Sequence, residues 1–317
     1  MTKLPLFLLG AILILTTSIK TAVGLPQDGL LDSARLVELP VYKDLTEALA
    51  NPLQVYKLEL SRKDFVEFPT DIFKFKNLHE LTLSKNRIVN IPPEISSLTY
   101  LKKLDMGGNK LYDLPQQFSK LQNLEELVLW KNQMITIPEA IYKLKNMKVL
   151  FITRNKITEI PAKISSLTNL RVLNFGMNQI TNIPPEIGQL TKLTYLNLSG
   201  NKFGTLPPEI GNLVNLKFLD LNFTDLQAIP PEIGKLKNLE HLLVWKNNLK
   251  ELPPEIGDLE NLKKLILSEN QITSLPFEIT SLKNLERLGL EGNKIGEADS
   301  MFLIQELPNT LVKFSYY

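Results

Sequence analysis

The chain contains no cysteine, two histidines and two tryptophans in 317 residues. Without cysteine there is no disulfide, no thiolate metal ligand and no cysteine nucleophile. His79 and His241 alone are thin material for a zinc site or a catalytic triad. Charge of one sign is also missing. Lys plus Arg is 36 against 34 for Asp plus Glu, a formal +2, whereas nucleic-acid binding asks for a clear excess of positive charge. No phosphate loop of the GxxxxGK type occurs, and Gly107-Gly108 reads as a turn. Hydrophobic residues make up 44%, too many for a disordered chain.

Long apolar runs are scarce too. One stands out, Leu4 to Leu15, 12 residues without a charge, and it falls short of the roughly 20 needed to span a bilayer. Lys3 precedes it and Ala22-Val23-Gly24 follows as a small-x-small site. Residues 1–24 are therefore expected to be a secretory signal peptide cut after about Gly24, giving a secreted or cell-surface product without membrane insertion. An uncleaved anchor or a buried helix is the alternative. Cleavage would remove Lys3 and Lys20 and no acid, taking the charge from +2 to 0. A neutral chain suggests neither a nucleic-acid nor an anionic-membrane partner.

What the sequence does have is a period. Asn86, Asn109, Asn132, Asn155, Asn178 and Asn201 are spaced by 23, then Asn247, Asn270 and Asn293 continue the count, with Thr224 in the gap. Around each runs L-x-x-L-x-L-x-x-N-x-I/L-x-x-I/L-P-x-E-I-x-x-L-x-N, in eleven units starting at Val55, Leu78, Leu101, Leu124, Met147, Leu170, Leu193, Leu216, Leu239, Leu262 and Leu285. The alternating stretch makes a short strand with leucines inward. The Asn amide can bond buried backbone groups at the following turn, forming a structural ladder from coil to coil. Proline then ends the strand geometry, and E-I-x-x-L returns the chain in a short helical turn. No unit can bury its leucines alone, so the stack folds as one body.

This pattern resembles the leucine-rich-repeat family over residues 55–307. The resemblance implies an α/β solenoid: a horseshoe with a parallel concave β-sheet and short helical or irregular turns on the convex face. At about 4.8 Å per strand, eleven strands extend roughly 50 Å. The lead-in DLTEALANPLQVYKLELS, the PPEIG-type unit, the leader and the Pro308-containing tail are similar to the secreted repeat proteins of pathogenic spirochaetes. That implies an exposed or released protein contacting host molecules. Residues 25–54 are expected to form an N-terminal segment whose helix begins at Asp44, with Leu45 and Leu49 covering the core. At the other end a helix is expected over 297–306. Residues 308–317 should add a final strand with Leu311, Phe314 and Tyr316.

Function is sought on the concave face, where the third, fifth and seventh residues of each unit point outward. The third position reads Val149, Val172, Tyr195, Phe218 and His241. The fifth adds Val128, Phe151, Leu243 and Ile266, and the seventh carries Trp130 and Trp245, with Phe223 on the rim. Exposed apolar patches mark interaction sites, and aromatic residues are favoured anchors. The expected partner is a protein or a glycan. Mere stacking for sheet stability and contact between two copies are the competing explanations.

No cofactor or metal is expected. His241 has no second histidine beside it, and His79 receives no role. Glu94, Glu186, Glu209, Glu232 and Glu255 fall at the start of the outer turns, where negative charge is favoured. Lys85, Lys131 and Lys246 read as a solvated rim. With no nucleophile–base pair in view, an enzyme is not expected. The second functional reading is an intracellular signalling scaffold, similar to plant Ras-group repeats, should residues 1–24 remain uncleaved.

Overall fold

The computed structural model describes residue 31 and residues 33–314, so the leader at 1–24 and Tyr316 lie outside the described residues. Among the described residues, thirteen parallel strands stack in chain order from β1 (Val41–Tyr42) to β13 (Leu311–Lys313). Eleven of them, from Lys57–Glu59 to Arg287–Gly289, begin two residues into each repeat. The register is fixed at a 23-residue offset, as in Tyr195 opposite Phe218 and Phe218 opposite His241. The fold is the leucine-rich-repeat solenoid with its sheet on the inner side and 3-10 turns on the outer.

Each strand stops after three residues because the chain turns. The residue before each ladder position has a left-handed backbone, for example Lys85 at φ 57° and Gly108 at φ 69°. The asparagine then enters the core. Asn178 donates its amide to its own coil at Phe175 O (2.8 Å) and to the preceding coil at Ile152 O (3.1 Å). Its Oδ1 accepts the Ile157 N–H at 3.1 Å. The same three bonds recur at Asn86, Asn109, Asn132, Asn155, Asn201, Asn247, Asn270 and Asn293. Backbone groups that leucines would otherwise strand without water are thereby paired.

Thr224 breaks the column. Its hydroxyl lies 2.9 Å from Leu221 O but has no amide arm to reach the preceding coil. A backbone bond takes part of its place: Gly204 N–H donates to Thr224 O at 3.0 Å. Asp225 is forced to φ 59°, and Asp64, next to Lys63 in the first unit, is at the same φ of 59°. Those two units share the missing asparagine.

A second asparagine column, to which the sequence reading gave no role, precedes the strands. Asn77, Asn123, Asn146, Asn169, Asn215, Asn238, Asn261 and Asn284 each donate to a carbonyl 24 residues earlier at 2.7 to 2.9 Å. On the convex side the 3-10 turns approach closely. A Cβ on Gly188 would lie 2.4 Å from Glu209 O, so at this pair of turns the approach depends on glycine.

Both ends are closed. Helix α1 (Ser33–Glu38) and strand β1 precede the capping helix α2 (Leu45–Leu49) and were not legible beforehand. Asp44 caps α2 by accepting the Thr46 and Glu47 N–H groups, and Leu45 and Leu49 pack against the core. His79, which received no role, is fully buried: its Nε2 accepts the Leu31 N–H at 2.9 Å, and its Nδ1 lies 2.6 Å from Asn77 O. It fastens the N-terminal segment to the second coil. At the other end helix α3 (Glu297–Glu306) buries Leu303, β13 pairs with the last repeat strand, and Phe314 packs on the core.

Asn178→Ala should lower the unfolding free energy by about 1–3 kcal/mol, because the buried Ile157 N–H is left without its acceptor while Phe175 O and Ile152 O each lose one of two amide donors. Asn215→Ala, which loses one exposed bond to Thr191 O, should cost under about 1 kcal/mol. Urea titrations of both variants check the contrast, and equal losses would contradict the ladder's dominance.

Candidate functional site: the concave sheet

Along each strand the fourth and sixth residues, such as Leu196 and Leu198, are fully buried in the leucine core. None of the twelve concave-face candidates belongs to that core. They stand on the other side of the sheet, on one surface, but they are not equivalent. Phe223 is exposed (40%), whereas Phe151 and Val172 are only 5% exposed. Phe151 lies between Val128 and Asn174 in the strand register, and Val172 between Val149 and Tyr195. The expectation that these two present contact area is therefore corrected: flanking side chains cover them and they form the floor of the surface. The remaining nine are half-buried.

The candidates fall into two groups. Toward the N-terminal side are Val128, Trp130, Val149 and Phe151. The indole of Trp130 lies across the preceding coil, which has Gly107 at the matching position; a Cβ there would meet Trp130 Nε1 at 2.0 Å. Lys85 Nζ stands 6.0 Å from that ring. Toward the C-terminal side, Tyr195 and Phe218 stack with centroids 4.6 Å apart and planes 5° apart, and His241 tilts against Phe218 at 5.9 Å. Trp245 meets Phe223 edge-to-face at 4.5 Å, with Lys246 Nζ 5.1 Å above Phe223. Leu243 and Ile266 sit opposite one another in the register beside them.

A polar row that the apolar pattern passed over runs beside the third-position side chains on the same strands. Asn174, Asn197 and Asp220 occupy successive fifth positions. Asn197 donates to Asp220 Oδ2 at 3.3 Å and accepts from Ser199 N–H and Oγ at 2.9 and 2.7 Å. Asp220 Oδ1 accepts the Asn222 N–H at 3.0 Å, and Asn174 Oδ1 the Gly176 N–H at 3.1 Å. Asp105 makes the same turn with Gly107 N–H at 2.8 Å. The signal was available: an Asp or Asn two residues before a Gly, Ser or Asn recurs at this position.

Burial dominates the titration of this face. It pushes the Asp220 carboxyl up to about 6, against the Asn222 N–H and Ser199 hydroxyl that favour the charged form. Asp105 is also pushed up to about 6, chiefly by burial, with Glu126 adding repulsion and the Gly107 N–H and Lys85 opposing. Burial raises Tyr195 and lowers His241, where Lys264 acts in the same direction as burial. His241 is thus held neutral near pH 7. Among the described residues no group of three or more His, Asp or Glu is arranged to hold a metal, and no helix is long and apolar enough to cross a membrane.

This arrangement defines a class first: an open parallel solenoid whose inner sheet carries side chains that the core does not use. The chain belongs to the leucine-rich-repeat family. A leucine-rich repeat region model matches residues 43–156 and 170–249, and a leucine rich repeat model matches 237–295. No curated protein sequence matches significantly. Among solved structures, the plant peptide hormone receptor RGFR1 in complex with RGF2 is 30% identical, with TM-score 0.71, over 81% of this chain and 47% of that one. The chain thus spans about half of that receptor's length. An internalin from Listeria monocytogenes is 23% identical, with TM-score 0.67, over 84% of this chain and 83% of that one, a likeness of fold alone. A Leptospira interrogans repeat protein is 30% identical over 87% of this chain and all of that one, but its TM-score of 0.41 carries no argument.

The raised Asp105 carboxyl has a stability consequence with a definite sign. The folded protein holds that proton more tightly than the unfolded chain, so the stabilisation is complete below about pH 4. It is lost as pH rises through about 6. Asp105→Asn keeps an acceptor for Gly107 without the charge. The variant should gain about 1–2 kcal/mol over wild type at pH 7 relative to their difference at pH 4. Paired denaturation curves at the two pH values check this, and a pH-independent difference would contradict it.

Proposed function

We propose that this protein is an exported, non-enzymatic binding module that holds a protein partner against its concave sheet. The observation that carries the reading is the continuous aromatic surface of Tyr195, Phe218 and His241, flanked by Trp245 and Phe223, on a rigid sheet and outside the core. A scaffold of this regularity has no folding need for large apolar side chains facing away from its leucines. The residue types are those that anchor interfaces. A patch across several strands of a sheet about 50 Å long is enough for roughly 800 Å² per partner, a standard protein interface.

Export rests on the leader pattern of residues 1–24, and a host-side partner on the lead-in and leader motifs shared with secreted spirochaete repeat proteins. The similar plant peptide hormone receptor RGFR1, solved in complex with RGF2, supports a peptide or protein ligand over a substrate.

The test is capture from host extracellular and membrane fractions, wild type against Trp130→Ala/Trp245→Ala. Losing two aromatic anchors should weaken binding by at least about 100-fold while circular dichroism and melting are unchanged. Partner capture at wild-type affinity by the double variant would remove the concave-face assignment.

A further inference from the structure

Asp105 and Asp220 occupy the same position of their repeats, and each gives Oδ1 to the N–H two residues on. Their second oxygens differ. Asp220 Oδ2 accepts the Asn197 amide at 3.3 Å. Asp105 Oδ2 accepts no hydrogen bond from any described residue, and burial pushes this carboxyl up as well. Asp105 lines a cavity of about 240 Å³ in the concave sheet. Glu80, Thr82, Lys103, Glu126, Trp130 and Phe151 line it too. The one ammonium in the lining is already engaged, since Lys103 Nζ lies 3.5 Å from Glu126. Three carboxylates therefore face one cation.

We propose that this cavity receives one arginine side chain of the partner protein, its guanidinium bonded to Asp105 and laid against the Trp130 indole. The proposal rests on the concave-face reading above and supplies the chemistry of one subsite. Size selects a side chain: 240 Å³ is below the roughly 300 Å³ at which small-molecule pockets begin. Charge selects a cation, because the lining is short of positive charge by two. Shape selects arginine over lysine. A planar guanidinium stacks on an indole and still presents in-plane donors to a carboxylate, which a compact ammonium cannot do together. Gly107 is part of the design, since any Cβ there would clash with the indole where it stands. The local cation Lys85, 6.0 Å from the ring centre, reaches only the outer limit of cation–π range.

The test uses Nα-acetyl-arginine N-methylamide, titrated into the full ¹⁵N-labelled protein at pH 8 and low salt. The two indole N–H resonances are assigned from one spectrum of Trp245→Phe. The Trp130 resonance should shift saturably while Trp245 stays, and Asp105→Asn should weaken the response by about tenfold or more. The citrulline analogue, the same shape without charge, should give no saturable shift. A missing response to the arginine probe, an equal response in Asp105→Asn, or an equal response to citrulline would each overturn the proposal. So would saturation by methyl glycosides but not by arginine, which would make the cavity a sugar site. If the probe fails but partner capture still depends on Trp130 and Trp245, only the arginine assignment falls. If capture ignores both tryptophans, the concave-face reading falls instead.

Discussion

The buried asparagine amide is the constraint on which the stack depends. Every coil turns inside an apolar core, and every turn leaves carbonyls and N–H groups facing the neighbouring coil with no water to pair them. A side chain with two donors and one acceptor can close all three from a single position, as Asn178 does with Phe175, Ile152 and Ile157. A hydroxyl cannot. At Thr224 the chain instead takes left-handed backbone at Asp225 and Gly204 to bring other groups into line. The absence of cysteine follows from the same regularity. Each coil is tied to the next by strand, ladder and leading-edge amide bonds, so cross-links are not needed to close the structure.

Much of this was legible because it repeats. The inward leucines, the strand positions, the outer turns after proline and the ladder all come from a 23-residue period with one chemical requirement per position. What repeats less strictly was harder to see. The second asparagine column is interrupted by Tyr100 and Lys192 and makes exposed bonds, so its signal is weaker although its spacing is the same. The N-terminal segment has no period at all. Nothing in the sequence around His79 signals that its imidazole will hold the backbone of Leu31, 48 residues away.

The concave face was legible as a face but not as a relief. Alternation tells which side of the sheet a residue takes, and none of the candidates lies in the leucine core. It does not tell how far neighbours shade it. Phe151 and Val172 disappear beneath flanking rows, while Phe223, at a turn and not in a strand, projects. Searching only for apolar residues also hid the aspartates. A carboxylate pushed up to about 6 on an open sheet arises because side chains of neighbouring coils keep water from it, a property of several coils together.

Stacking and recognition make different demands, and the residues separate them. Tyr195 on Phe218 is a pair that stabilises adjoining strands by about 1 kcal/mol whatever else it does. Covered Phe151 and Val172 also fit a stabilising role. Phe223 does not. It stands at the left-handed turn position, φ 56°, which Lys85, Met177 and Lys246 also occupy in other coils. The turn therefore does not require a ring, yet the ring there is 40% exposed. It meets Trp245 edge-on and Lys246 Nζ at 5.1 Å, and neither contact buries it. A large apolar side chain held outward into solvent is better explained by what it meets from outside than by the sheet beneath it.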